Sequence, residues 1–223
     1  MSKILVVSAH PDDEIIGAGG ALLRHIAAGD EVCWLIITDV LLTHGFDEKV
    51  IKKRTEEIDR VREGVGFSRV VKFQYPTMTL SSESIIEMVP RISALMNDFK
   101  PEIIYTMNRS DAHSDHRVIF DAVMACTKSF RHPYLRKVLM YETISETEFA
   151  PALAEKAFVP NYFVDITDFF RKKVELATIY ESEFGEHPFP RSVRNLEALA
   201  TFRGASCGVE YAEAFQLIKW IDK

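Results

Sequence analysis

Short apolar runs alternate with amphipathic stretches along most of this chain, and the alternation predicts its elements. Lys3 to Ser8 is a continuous apolar run bounded by polar residues, as expected of a strand covered on both faces. Glu14 to Ala28 follows as a helix ended by Gly29-Asp30, and Glu31 to Thr38 is a second buried strand. Lys49 to Val65 is helical, with Ile51, Ile58, Val61 and Val65 along one stripe, and Arg69 to Tyr75 is a third strand. Ser84 to Phe99 reads as a helix opening on a Ser84…Glu87 capping box, with Pro90 expected to kink or restart it. Glu102 to Met107 is a fourth strand, Asp115 to Thr127 a helix and Lys137 to Tyr141 a fifth strand. Tyr162 to Ile166 comes next, then a helix from Asp168 to about Ser182. Two closing helices are expected around Leu196 to Phe202 and Tyr211 to Trp220. Strands alternating with helices imply a mainly parallel sheet with helices on both faces. The fold class predicted is α/β: a Rossmann-like three-layer sandwich. No repeat, low-complexity tract or Gly/Ser/Pro linker divides the chain, so one domain over residues 1–223 is expected.

Composition narrows the class. A share of 47% hydrophobic and 27% charged residues over 223 positions describes an ordinary globular protein with a substantial core. The net charge of -6 argues against nucleic acid and against anionic membranes. Cys33, Cys126 and Cys207 are odd in number, far apart and free of any Cys-x-x-Cys, which points to buried thiols in a reducing compartment. The apolar run near the N-terminus is too short for a signal-peptide core, so the cytoplasm is the expected location. The aromatic residues near the C-terminus are expected in the core, and a homo-oligomer is left open.

The candidate chemistry sits where the first apolar run ends. His10-Pro11-Asp12-Asp13-Glu14 follows Ile4-Leu5-Val6-Val7, and open α/β sheets place their ligands at the carboxyl ends of strands. His10 leaves the strand end and Asp13 enters the first helical turn, so both can point into one cavity, with Pro11 stiffening the turn. Asp12 points differently and suits a base beside a metal-bound water. The competing reading makes the three acids helix caps, which leaves His10 unexplained. A second cluster, His113-Ser114-Asp115-His116, follows Ile103-Ile104-Tyr105. His116 falls on the inward stripe with Ile119, Phe120 and Val123 and is read as the third ligand. His113 is read as a free imidazole that stabilises charge or delivers a proton, and Asp115 as a carboxylate that fixes a histidine tautomer. Two histidines and an aspartate leave a coordination position open for water, the pattern of a catalytic zinc site, although iron(II) also fits the set.

Arg54 interrupts the apolar stripe of its helix. Either it snorkels to solvent or it reaches the cleft, steadied by Glu57. Among the lone loop histidines, His187, flanked by prolines and Arg191, is the one singled out for the cleft rim. Gly17-Ala18-Gly19-Gly20 lies inside the first helix without Gly-x-Gly-x-x-Gly spacing, so close packing of helix on sheet explains it better than dinucleotide binding.

These residues carry a resemblance. Ala9-His10-Pro11-Asp12-Asp13-Glu14, Gly17-Ala18-Gly19-Gly20, Arg54-x-x-Glu57 and His113-Ser114-Asp115-His116 resemble the PIG-L/LmbE family of zinc-dependent de-N-acetylases. Glu186-His187-Pro188-Phe189-Pro190-Arg191 and Arg203-Gly204…Tyr211-Ala212-Glu213-Ala214-Phe215 are similar to segments of bacterial members, so the likeness runs over nearly the whole chain. It implies a Rossmann-like fold with one zinc ion, and hydrolysis of the linear amide of an N-acetylated sugar such as an N-acetylglucosamine conjugate. By position it implies His10, Asp13 and His116 as metal ligands, Asp12 as general base, His113 as stabiliser of the tetrahedral intermediate and Arg54 as a substrate contact; His187 and Arg191 are counted with Arg54 as candidate substrate contacts. The chain departs from the family pattern at 39–45 and at 76–80, where Pro76-Thr77-Met78-Thr79-Leu80 lacks a common Asp. Both segments are expected at the mouth of the site, where they bear on substrate rather than chemistry. The alternatives are a hydrolase of another amide, such as a thiol-sugar conjugate, and a metal-containing sugar-binding protein without turnover.

Overall fold

The computed structural model describes residues 1–223. The elements follow the predicted alternation: β1 (Lys3–Ser8), α1 (Asp13–Ala27), β2 (Glu31–Asp39), α2 (Glu48–Val65), β3 (Arg69–Pro76), α3 (Ser84–Phe99), β4 (Ile103–Met107), α4 (Ser114–Ala125), β5 (Lys137–Tyr141), β6 (Tyr162–Asp165), α5 (Phe170–Ala177), α6 (Val193–Cys207) and β7 (Ala212–Trp220). They build one seven-stranded sheet in the order β3-β2-β1-β4-β5-β7-β6. The first five strands are parallel, and β7 runs antiparallel to both β5 and β6. Parallel strands joined by right-handed crossovers put helices on one face while the order runs one way and on the other after it reverses. Accordingly α1 packs with α2 and α5, and α3 packs with α4. The reversal lies between β1 and β4, which pair directly. Their carboxyl ends therefore open a crevice at the switch point.

β1 and β2 are buried almost throughout, as continuous apolar runs require. The glycines of α1 explain how closely that helix lies on its neighbours. A Cβ on Gly17 would fall 2.2 Å from the Tyr141 ring and one on Gly20 2.6 Å from Ile166, so packing accounts for this stretch, as expected.

The expected burial of the C-terminal aromatics and of all three thiols fails at Phe189, Phe202, Trp220 and Cys207, which are exposed, and three expectations about the elements need correction. Tyr211 to Trp220 is not a helix: Ala212–Trp220 is the strand β7, inserted between β5 and β6. Its buried residues include Glu213, whose carboxylate accepts the Gly20 and Ala21 N–H groups and meets Lys173 Nζ at 2.7 Å. A glutamate inside the run, flanked by alanines, reads as helical because sequence alone does not show that it is paired. The helix expected from Asp168 to Ser182 is confined to Phe170–Ala177. The capping box also fails. Ser84 lies inside α3, with Glu83 at the cap and the Ser84 hydroxyl accepting from Ser81 N–H, and the helix runs through Pro90 without restarting.

Candidate metal centre and active-site cavity

β1 delivers His10 at its carboxyl end and α1 begins at Asp13, three residues later. The Asp13 carboxylate is buried and held from behind. Its Oδ2 accepts the N–H groups of Ala9 (3.0 Å) and His10 (2.9 Å), which leaves Oδ1 pointing forward. Asp12 makes no cap bond with its side chain. The capping alternative therefore fails for Asp12, which is free for chemistry. Across the switch point, His113 caps α4, and its Nδ1 accepts the Asp115 N–H at 3.1 Å. His116, one turn into α4, is completely buried and faces Asp13.

His10, Asp13 and His116 thus converge. His116 Nε2 lies 3.4 Å from Asp13 Oδ1, and His10 Nδ1 lies 3.7 Å from Asp13 Oδ2. One ligand atom from each of the three falls within 4.8 Å of the others. Both His116 Nε2 and Asp13 Oδ1 are buried without a hydrogen-bond partner. Two unpartnered buried ligand atoms facing each other are costly unless something electropositive joins them. Burial opposes charge on both groups. Even so, their mutual attraction holds the Asp13 carboxyl well below the usual range and, with Asp111, holds the His116 imidazole well above its own. A divalent cation fits between them, and the N/N/O donor set suits zinc or iron(II).

The two histidines of this trio are oriented from outside. His116 Nδ1 meets Asp111 Oδ2 at 2.8 Å, which directs Nε2 toward Asp13. Asp115, expected to fix a histidine tautomer, lies against His10, whose Nε2 is 3.4 Å from Asp115 Oδ2. Burial works against ionised Asp115. Bonds from His10 and the Met78 N–H outweigh it and keep the carboxyl below its ordinary range. The same carboxylate also accepts the Leu80 N–H, so it ties the divergent 76–80 segment to the metal cluster. A second trio, His10, His113 and Asp115, also lies within ligand distance, but it has no orphaned atoms.

Asp12 lies beside this cluster in the wall of a 580 Å³ cavity. Its Oδ2 accepts from Arg191 Nη1 at 2.5 Å, while Oδ1 is buried and unpartnered. Burial raises the Asp12 carboxyl to about 6 against the pull of Arg191. His113 lines the same cavity. Burial and the neighbouring histidines lower its imidazole to about 4, so it is neutral near pH 7. Because Nδ1 accepts a bond, the proton of the neutral ring sits on Nε2. Arg54 does reach the cavity. Its Nη1 donates to Pro11 O at 3.1 Å, Nη2 donates to Glu183, and Nε lies 3.5 Å from Glu57. Both divergent segments line the mouth through Asp39, Val40, Thr77 and Met78, as expected. His187 is exposed on its loop and does not line the cavity; its neighbours Phe189, Pro190 and Arg191 do.

Asp111, Glu146, Glu183 and Glu14 were not singled out for a role by sequence reasoning. Asp111 carried one local signal, an acid five residues before His116 in a loop following a strand. Glu146 and Glu183 lie in irregular segments and reach the site only through tertiary structure. Glu14 is fully buried against Tyr180 and Asp12 N–H, and burial, then the Asp12 charge, pushes its carboxyl well up.

Comparison with known proteins places the chain in a family. The chain is 26% identical over 233 residues to a diacetylchitobiose deacetylase of Thermococcus kodakarensis, covering 99% of this chain and 85% of that protein. A conserved protein, TT1542, from Thermus thermophilus superposes with a TM-score of 0.78 at 22% identity, over 100% of this chain and 97% of the other. A 4-carboxy-2-hydroxymuconate hydratase from Pseudomonas putida superposes with a TM-score of 0.75 at 19% identity, over 100% and 98%; the fold therefore carries more than one reaction. No helix is long and apolar enough to cross a membrane. The family described as PIG-L, GlcNAc-PI de-N-acetylase, matches residues 5–127, more than half of the sequence, and the chain belongs to that family.

Proposed function

We propose that this protein is a metal-dependent N-deacetylase that releases acetate from an N-acetylated amino sugar or glycoconjugate. The observation that carries the reading is the facing pair of buried, unpartnered ligand atoms, Asp13 Oδ1 and His116 Nε2, next to His10 and to an unpartnered oxygen of Asp12. Family membership and the deacetylase relative support the choice of reaction.

His10, Asp13 and His116 hold the metal in this reading, with zinc the favoured ion. Zinc would supply Lewis acidity and a water acidified toward neutrality. Asp12 takes the proton of the attacking water on Oδ1, while Arg191 fixes its other oxygen. Its raised carboxyl, at about 6, suits a base that must also give the proton up again. The His113 Nε2–H donates to the oxyanion as the acetyl carbonyl becomes tetrahedral. The C–N bond then breaks, the proton held by Asp12 passes to the departing nitrogen, and acetate and a free amine leave. Arg54 and Arg191 are placed to shape the substrate end of the cavity. His187 has no role here.

The test is acetate release from a panel of N-acetylated sugars, before and after chelation and with zinc or iron(II) restored. Chelator-sensitive, metal-restored release is expected. A protein that holds one metal per chain yet releases no acetate from any N-acetyl sugar would refute the reading. Metal content alone does not decide the matter, because the same fold carries a hydratase.

A further inference from the structure

The cavity is acidic, and neither of its two cations is free. Asp12, Asp39, Glu146 and Glu183 line it, and Arg54 and Arg191 are its only lysine or arginine residues. Each guanidinium is already paired with a carboxylate, although Arg191 Nη2 makes no hydrogen bond. Arg54 donates to Pro11 O, Ser182 Oγ and Glu183, and its Nε faces Glu57. Arg191 donates from Nε to Ser145 Oγ (2.7 Å) and from Nη1 to Asp12, with Glu183 at 3.4 Å, and its Nη2 lies 3.6 Å from Glu146. Both side chains are largely buried, at 12% exposed, so the pairs are weakly screened. Arginine recognises phosphate and carboxylate through a free fork of donors, and here both forks are already engaged by carboxylates, Arg54 by Glu183 and Arg191 by Asp12.

The mouth of the same cavity is apolar. Met78, Phe149, Phe189 and Val50 line it, and all four are exposed to solvent, Met78 to 77% and Phe149 to 62%. Exposed aromatic and aliphatic side chains grouped at a cavity rim mark a binding surface. They suit the apolar faces of sugar rings or an aryl group, and they offer nothing to a strongly hydrated anion.

We infer that the substrate is uncharged beyond its acetamide group, a neutral glycoside of an N-acetyl amino sugar, and that Glu183 enforces this by occupying Arg54. This rests on the deacetylase reading for the reacting group, but the selection against charge is a property of the cavity itself. An anion at the mouth meets Asp39, Glu146 and Glu183 and must compete with the carboxylates already paired to both guanidiniums, so Coulomb repulsion and desolvation act together. In Glu183→Gln the Arg54 Nη2 no longer faces a carboxylate, and the cavity loses one negative charge.

The zinc-loaded protein is tested by two readouts on the same sugars: N,N'-diacetylchitobiose and 4-nitrophenyl N-acetylglucosaminide against N-acetylglucosamine 1-phosphate and 6-phosphate. Acetate release reads the reaction, and calorimetric binding reads the charge selection without needing turnover. Binding of the phosphorylated sugars at least about tenfold weaker than that of the neutral pair is expected, with the gap narrowing in Glu183→Gln. Where acetate is released, kcat/KM should follow the same order. Phosphorylated sugars bound as tightly as neutral ones, no binding of the neutral pair, or a gap unmoved in a folded Glu183→Gln would each overturn the inference. Neutral sugars bound selectively without acetate release would leave it standing and sink the deacetylase reading instead. A preference for chitobiose over the aryl glycoside would identify the uncharged extension as a second sugar.

Discussion

Asp111→Asn isolates the orientation of one metal ligand. The carboxylate is fully buried, and each of its oxygens faces a donor. Oδ2 meets His116 Nδ1 at 2.8 Å, while Oδ1 accepts Asn108 Nδ2 at 2.8 Å and Thr147 Oγ1 at 2.7 Å. An amide keeps the shape but turns one acceptor into a donor. If its NH2 faces His116, the imidazole must carry its proton on Nε2, the atom that points at Asp13. If it faces Asn108 and Thr147, the buried Asn108 amide and the half-buried Thr147 hydroxyl lose their acceptor. Either arrangement leaves an unmet buried polar group, at ~1–3 kcal/mol. Loss of a ligand's outer hydrogen-bond partner typically weakens metal affinity by about 10–100-fold, which is ~1.4–2.7 kcal/mol and agrees with that range. Zinc affinity measured by chelator competition should therefore fall by about 10–100-fold. At saturating zinc, kcat should stay within about tenfold of wild type, because the substitution touches no group that reacts. Unchanged affinity with a collapsed kcat would refute the reasoning and move Asp111 into the reaction itself.

Other outcomes follow from the same geometry. Asp12→Asn should keep its metal by elemental analysis while kcat falls by about 10²–10⁴-fold; loss of the metal would make Asp12 a ligand rather than the base. The buried Lys173–Glu213 pair, which joins α5, β7 and the backbone of α1, should be coupled: Lys173→Met and Glu213→Gln should each cost about 3–5 kcal/mol in urea unfolding, and the double variant clearly less than the sum. Simple additivity would show that the two side chains do not depend on each other. Ellman's reagent should label one thiol per native chain, the exposed Cys207, because burial silences Cys33, with its thiol pushed up to about 12, and Cys126, with its thiol pushed up to about 11. Rapid labelling of two or three thiols in the folded protein would contradict the burial of those side chains.

The parallel half of the sheet was legible because its strands are covered on both faces and so read as unbroken apolar runs between amphipathic helices. The closing half was not. β7 carries a glutamate that is stable in the interior only because Lys173, forty residues earlier, neutralises it and two α1 amides bond it. No local pattern encodes a partner at that distance, and alanines around an apparently polar position favour a helix reading. The site divided in the same way. His10, Asp13 and His116 stand at the ends of elements whose boundaries the pattern gave, so their convergence followed from topology. Arg191 and His187 lie in one irregular segment, where side-chain direction has no period to read, and only Arg191 faces inward.

That difference bears on which parts of the site belong to the reaction and which to the substrate. In the proposed reaction, residues fixed by β1, α1 and α4 make the metal position, the base and the oxyanion donor. They sit on rigid elements whose geometry the sheet dictates, as chemistry with small tolerance requires. Arg54 comes from a helix further out, and Glu183, Glu146, Phe149, Phe189 and Arg191 come from connecting segments, where change costs little stability. The charges there cancel in pairs rather than pointing outward, and the exposed side chains that remain are apolar. A cavity built to hold a phosphate would leave a guanidinium fork free at its mouth. This one engages both with carboxylates, so on the proposed reading recognition of the rest of the substrate falls to ring faces, and exchanging Glu183 is the smallest change that would alter which glycosides it accepts.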